Sequence, residues 1–512
     1  MTAGWFPLTE AQQGIWYAQA RDPQSPALVT GQALYIDGAL DADAMARAID
    51  ALGHEADSLA LRFAPGPDGP RQRIAPGGAP RLRVLDRLGV APARVDADIL
   101  AEARQPMDLL AGPIAGFTLW RLAPDRHILT ERIHHIAADG RAMVLVTQRL
   151  AALYAAEVAG TDPGAPLAPL ARALDEDARF AEAPARARQR QHWHDRLAGL
   201  PAVASMSRGA APGDGRWFHR AETPLPSGAA QAIARLADAA EVHWTDALTA
   251  LTGAFAARHM PQIAAGQGGE TVLGIPLQNR MGRVARCVST QVNVLPLRLS
   301  PDDRAPLVDW VRAVGADLAA MRRNGRYRGE ALQRELGRIG AGRRLWGPLV
   351  NILPFAACPD LPGCRTRLRI LGAGSVDDLT FCFRGDPDAG LLAQIDTNTA
   401  LYDDAETRAL CQRLAQFLQA AAGAACLRDV PTLTPDETRR HVHARNDTAR
   451  DVARTTLPAL IGAQMRAAPD ALAVEYADTR LTYAQLDRQS AALALRRAAR
   501  AIWPGDMVVV AL

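Results

Sequence analysis

The run Glu131-Arg132-Ile133-His134-His135-Ile136-Ala137-Ala138-Asp139-Gly140 brings two imidazoles and two carboxylates into ten residues. An imidazole titrates near neutral pH, at about 6.5, so it can take a proton or hydrogen-bond an attacking nucleophile. Adjacent residues of a strand point to opposite faces. His134 and His135 are therefore expected to divide their work, one facing a cleft and the other held in packing. Gly140 allows close backbone approach at a helix entrance, where amide N–H groups favour developing negative charge. A metal site is the poorer reading, because neighbouring strand histidines diverge and no Cys or His cluster at a recognisable spacing supplies further ligands.

The elements that position these groups can be read from periodicity. Arg126 to His135 alternates like a strand, and Val146, Leu150, Leu153 and Tyr154 follow with helical spacing, which puts the histidine pair at a strand-to-helix junction. Ile114 to Leu122 is a second strand-like run, and Ala123-Pro124-Asp125 between the two predicts a hairpin. Leu8 to Trp16 opens a helix in which Thr9 and Gln12 are placed as a capping box. A run near Ala33 to Ile36 leads to a helix with Met45, Ile49 and Leu52 on one face. The first lobe ends near Val158, and residues 160–166 read as a linker. In His192-Trp193-His194, positions i and i+2 of a helix do not share a face; the expectation is a packed Trp193 with the histidines towards solvent. From Arg216 onward strand and helix patterns alternate again, predicting a second α/β lobe of similar size.

His134-His135 followed by Asp139-Gly140 resembles the core motif of condensation domains of nonribosomal peptide synthetases, a branch of the chloramphenicol acetyltransferase-like acyltransferases. Further segments resemble that family's motifs in its own order. Leu8-Thr9-Glu10-Ala11-Gln12-Gln13-Gly14-Ile15-Trp16 is similar to the first. Ser58-Leu59-Ala60-Leu61-Arg62-Phe63 is similar to the second, with Ala60 where the family has arginine and Arg62 two residues later. Thr271 to Arg280 resembles the segment that places an arginine, here Arg280, beside the aspartate of the histidine motif. Thr290 to Leu297 resembles the fifth motif, centred on Asn293. Trp346 to Ile352, with Asn351, and Ser375 to Leu379 resemble later segments, most closely those of the serine-loading enterobactin synthase type.

The resemblance implies an α/β (α+β) fold: two chloramphenicol acetyltransferase-like lobes forming a V around a central tunnel. It divides the chain into a lobe at 1–175, a second at 176–426, a linker at 427–456 and, at 457–512, the start of an adenylation domain. The last assignment rests on Leu481-Thr482-Tyr483-Ala484-Gln485-Leu486 and on Pro504-Gly505-Asp506 before a strand-like Met507 to Leu512. His135 is implied as the catalytic group, as base or by positioning the amine, with Asp139 and Gly140; His134, Arg280 and Arg62 are supporting; Asn293, Asn351 and Ser375 contact substrate. The chemistry is aminolysis of a thioester, with 4'-phosphopantetheine arms on partner carrier proteins and no cofactor held by the domain itself. ATP and magnesium belong only to a complete adenylation domain. Ester formation, N-acylation by a starter domain and noncatalytic recruitment of partners are the alternatives on the same fold. Because Met1 stands seven residues before the first motif, the donor is expected from a separate carrier protein, with an aryl donor preferred and the acceptor carrier downstream.

Composition narrows the classes. The chain has 512 residues, 48% of them hydrophobic, enough for two or more cores. Its basic residues are all arginine, 58 against 55 acidic, for a net charge of +3; nucleic acid and membrane are not expected partners. Six scattered cysteines without a C-x-x-C pair fit a reducing cytoplasm. No run approaches a membrane span, and no leader pattern opens the chain.

Overall fold

In the computed structural model, residues 4–511 are described apart from 201–202, 208–214, 261–269, 339–343, 355–357, 373, 453 and 504. They form two compact units, 1–434 and 435–512.

Two mixed sheets carry the larger unit. The first has the strand order Arg365–Gly372, Val29–Asp37, Arg126–His134, Ala115–Ala123, Leu82–Asp86. Its centre is the hairpin expected from Ala123-Pro124-Asp125: Thr118 pairs with Thr130 and Ala115 with Ile133. On the other side Val29 pairs with His134 and Gln32 with Glu131. The edge strand Arg365–Gly372 comes from late in the chain and pairs antiparallel with Val29–Asp37, so the second half of the sequence completes the sheet of the first. Helices Ala42–Glu55 and Gly140–Ala159 cover one face; Met45, Ile49, Leu52, Leu129, Ile133, Val146 and Leu150 close a dry core between them. Among the described residues only Gly140–Ala159 is long and apolar enough to cross a membrane, and half of its apolar window is buried inside the protein.

The second sheet runs Asn293–Leu299, Thr271–Leu277, Leu349–Leu353, Leu379–Asp386, Gly390–Asn398, Phe218–Pro224. Leu349–Leu353 is parallel to both its neighbours and the other pairs are antiparallel. Helices Ser227–Ala240, Trp244–His259, Leu307–Arg323 and Asp404–Ala421 pack on it around Phe255, Phe381 and Phe417. Trp193 is buried and donates from Nε1 to Asn324 O at 2.8 Å, while His194 bonds Glu335 at the surface.

The stretch read as a linker is not uniform. Leu427 and Val430 are buried in the larger unit's core, and Arg439–His443 is helical. The smaller unit holds helices Leu457–Ala467 and Tyr483–Ala498 and the pair Leu472–Tyr476 with Thr479–Thr482. Residues 507–511, strand-like in sequence, pair with nothing among the described residues. Leu512 lies outside the described residues. An isolated run of apolar residues cannot satisfy its own backbone N–H and C=O groups as a strand.

Candidate active site

Between the two sheets of the larger unit lies a cavity of about 550 Å³, and His135, Gly140, Asn351 and Ser375 are on its wall. Strand Arg126–His134 ends at the first histidine, and the chain turns over residues 135–139 into helix Gly140–Ala159. Asp139 is that helix's N-cap and its carboxylate accepts from Ala142 N at 2.9 Å, which satisfies one of the open amides of the first turn. The same carboxylate accepts from Arg280 Nη2 at 3.0 Å, from Gln291 N at 2.8 Å and from Val292 N at 3.0 Å. Arg280 also donates to Ser289 O at 2.6 Å and to Cys287 O. Both side chains are almost wholly buried, at 2% and 3% exposure. With its lone pairs committed to these donors, Asp139 is a clamp between the two halves rather than a proton acceptor.

The two histidines part as alternation requires. His134 is fully buried; its Nδ1 accepts from Ile136 N at 3.1 Å and its Nε2 lies 2.9 Å from Gln19 Oε1. This pairing makes Nε2 the protonated nitrogen. Burial, aided by the charge of His135, pushes His134 down from 6.5 to about 3. A depressed pKa stabilises the fold above 6.5, and that stability is lost as pH falls from 6.5 towards 3. At 1.36 kcal/mol per pH unit, the loss amounts to roughly 5 kcal/mol. Melting temperatures of the wild type are therefore expected to fall more steeply between pH 6.5 and 4 than those of His134→Gln, and parallel curves would contradict this.

His135 is half-buried on the cavity wall. Its backbone is held on both sides, by His135 N donating to Leu28 O at 2.7 Å and by the Thr290 hydroxyl donating to His135 O. Its Nδ1 is buried without a hydrogen-bond partner among the described residues, so none of their carboxylates orients the ring. Gly374, at φ +111°, packs against the other edge: a Cβ there would stand 3.2 Å from Cδ2 and 3.5 Å from Nε2. Gly374→Val adds backbone strain of about 1–3 kcal/mol and displaces the ring. Its turnover is expected to drop by roughly tenfold or more, and unchanged turnover would show that the ring's position is not critical.

Helix Glu10–Arg21, which begins with the expected capping box, supports the histidine loop. Gln12 Nε2 donates to Ile136 O at 3.2 Å and exchanges two hydrogen bonds with the buried Gln72. Gly14 allows the helix to approach the second half, since a Cβ there would meet Glu330 Oε1 at 2.8 Å. Glu330 in turn pairs with Arg328 on the cavity wall. Gln19, Gln72 and Arg328 escaped the sequence reading, because a lone glutamine or arginine carries no pattern, and Thr290 entered it only as the first residue of the fifth-motif segment.

Two expected residues lie elsewhere. Asn293 is fully buried and is not on the cavity wall; its Nδ2 donates to Gly325 O and Tyr327 O at 2.7 and 2.8 Å and its Oδ1 accepts from Gly329 N at 3.0 Å. It fastens the 325–329 loop and has no hydrogen left for substrate. Arg62 donates to Leu61 O and lies against Gly112, away from the cavity and without an ion pair among the described residues. Asn351, by contrast, opens on the cavity. No group of three metal-ligating side chains occurs among the described residues.

Two mixed α/β layers thus enclose a cavity with one imidazole on its wall, on a loop held by a buried carboxylate–guanidinium clamp. The family model named Condensation domain matches residues 2–441, and the chain belongs to that family. It is a condensation domain of the nonribosomal peptide synthetase type. It is 33% identical over 519 residues to an isonitrile lipopeptide synthase of Streptomyces coeruleorubidus, covering 99% of this chain and 34% of that protein. To a dimodular nonribosomal peptide synthase of Bacillus subtilis (strain 168) it is 30% identical, covering 99% and 21%. Enterobactin synthase component F of Escherichia coli (strain K12) is 28% identical, covering 99% and 39%. The chain thus spans well under half the length of these relatives. Among solved structures, it is similar to a variant starter condensation domain of rhizomide synthetase in complex with C8-CoA and Leu-SNAC, with TM-score 0.76, 29% identity and coverage of 84% and 96%. The first condensation domain of the calcium-dependent antibiotic synthetase also has TM-score 0.76, with 26% identity and coverage of 85% and 100%.

Proposed function

We propose that this chain joins an acyl thioester donor to the amine of an aminoacyl thioester acceptor at His135, both delivered on the 4'-phosphopantetheine arms of carrier proteins. The observation that carries this reading is a half-buried imidazole on the wall of a cavity, set on a loop clamped by Asp139 and Arg280. The neutral amine attacks the donor carbonyl and a tetrahedral oxyanion forms. The nitrogen then loses a proton, and the C–S bond breaks to release the donor arm as a thiol that takes up that proton. Among the described residues His135 has no carboxylate partner to support an imidazolium, which favours a hydrogen bond to the attacking nitrogen over a full general base. Holding two tethered substrates in one tunnel supplies the larger share of the rate. Gly140, which has open space where a Cβ would stand, lets the reacting carbonyl approach the first amides of the helix.

Within the family, the chain is read as of the enterobactin synthase component F type, with an aryl acyl donor, and residues 457–512 are read as the opening of an adenylation domain. The support is an alignment to that synthase covering 99% of this chain, and a capping box of Thr482 and Gln485 in the adenylation-like motif. A cytoplasmic setting agrees with six free cysteines. The test is mass spectrometry of products after mixing the protein with an aminoacyl acceptor and aryl, fatty or aminoacyl donors on a separate carrier protein. An amide that appears only when both thioesters are present is expected, fastest with the aryl donor. Hydrolysis or ester formation alone would overturn the amide reading.

A further inference from the structure

Strand Leu379–Asp386 turns Phe381 and Phe383 into the core beneath the helices, and alternation sends Thr380, Cys382 and Arg384 to the opposite face. There Arg384, half-buried, reaches the wall of the cavity. The register gives it apolar neighbours, Leu353 on one side and Leu392 on the other. The contrast on the same face of the same sheet is Arg220 of strand Phe218–Pro224, whose Nε and Nη2 donate to the two oxygens of Asp396 at 2.7 and 2.8 Å.

Arg384 has no such partner. Its Nε and Nη2 are buried and bonded to nothing, and no carboxylate among the described residues pairs with it. The acidic group it acts on is the Cys382 thiol, which burial pushes up from its ordinary value and so keeps neutral. Gln394 is paired with Cys382, one diagonal step from Arg384, and ends in a buried Oε1 that is itself unpartnered. The fold does not turn even that neutral acceptor towards the guanidinium. An arginine stays charged at any working pH, and a charge taken out of water without a partner is costly. A snorkelling surface arginine would carry its whole head into water, whereas here two of the three guanidinium nitrogens are shut off from it. The third, Nη1, is outside that buried set and opens the head to the cavity.

We propose that Arg384 is a subsite for a carboxylate carried by one of the two thioester substrates, on the donor acyl group or on the acceptor side chain. This rests on the amide-forming reading above and narrows its substrates. A guanidinium matches a carboxylate through two parallel N–H donors, and a turn of the head about its last bonds presents them to the cavity. The bound carboxylate then gives the cation the counter-charge that Asp396 gives Arg220. An uncharged isostere leaves the cation unpaired and is disfavoured for that reason.

The experiment measures kcat/KM for two isosteric pairs, all as carrier-bound thioesters: glutamyl against glutaminyl as acceptor with one neutral donor, and glutaryl against its monoamide as donor with one neutral acceptor. In the wild type the acid is expected to exceed its amide by roughly tenfold to a hundredfold in one of the pairs, and the pair that responds identifies the substrate that carries the group. Arg384→Gln is expected to bring that ratio to about one while the amide substrates still turn over, a change that a purely structural role would not produce. Arg384→Lys is expected to keep part of the preference. The wild-type ratios test the proposal even if neither variant folds. Equal rates for acid and amide in both pairs, or a preference that survives Arg384→Gln, would overturn it. So would a loss in Arg384→Gln that is the same for acids and amides on carriers and disappears with N-acetylcysteamine thioesters, since the anion would then be the phosphate of the arm. Absence of amide product with every substrate would instead overturn the amide-forming reading itself.

Discussion

His135→Ala is expected to lower the rate of amide formation by about two to four orders of magnitude, the range for a group that manages a proton or a nucleophile in the transition state. The fold is expected to survive. The ring is half-buried, its Nδ1 has no partner to leave stranded, and the backbone bonds from His135 N to Leu28 O and from Thr290 to His135 O do not depend on the side chain. The two effects separate cleanly in single-turnover kinetics and thermal melts. A near wild-type rate would remove His135 from the mechanism, whereas a large loss of melting temperature would make its role structural.

The second large effect concerns the clamp, where the two partners are not equivalent. Asp139→Ala leaves the Arg280 charge buried and strips the acceptor from Ala142 N, Gln291 N and Val292 N at once. Breaking a buried pair in this way costs about 3–5 kcal/mol. Arg280→Leu is expected to cost less, because Asp139 keeps three backbone donors after the guanidinium has gone. The predicted order in urea unfolding is wild type, then Arg280→Leu, then Asp139→Ala, with amide formation falling in the same order because the loop that carries His135 loosens. Equal stability of all three proteins would show that the pair holds nothing together. Asp139→Asn should fall between the two variants, since its amide oxygen can still accept from the backbone.

Much of the core frame was legible because period and burial agree locally. The hairpin of Ala115–Ala123 with Arg126–His134, the capped helix Glu10–Arg21 and the buried face of Met45, Ile49 and Leu52 each follow from a few neighbouring residues. The partnership of Asp139 with Arg280 spans 141 positions, so spacing alone could not reveal it, and only the resemblance to a family pointed there. Strand Arg365–Gly372 alternates as an edge strand does, but no local feature says that it joins the sheet of the first half. Asn293 is a substrate contact only by the resemblance of Thr290 to Leu297 to the family's fifth motif; its amide serves the 325–329 loop instead. Gln32 drew no notice. Its environment comes from Glu131 on one strand and Thr147 on a helix, and only folding brings them together.

The central claim is that His135 works directly on the reacting groups in the tunnel. It is tested most directly by a crystal structure of the protein with a stable thioether or amide mimic of the joined donor and acceptor. The account predicts that the new amide nitrogen lies within about 3.5 Å of His135 Nε2, the separation of a near-attack arrangement, with the Asp139–Arg280 pair intact beneath it. A mimic bound in the tunnel with its amide more than about 6 Å from the imidazole, beyond direct contact, would contradict it.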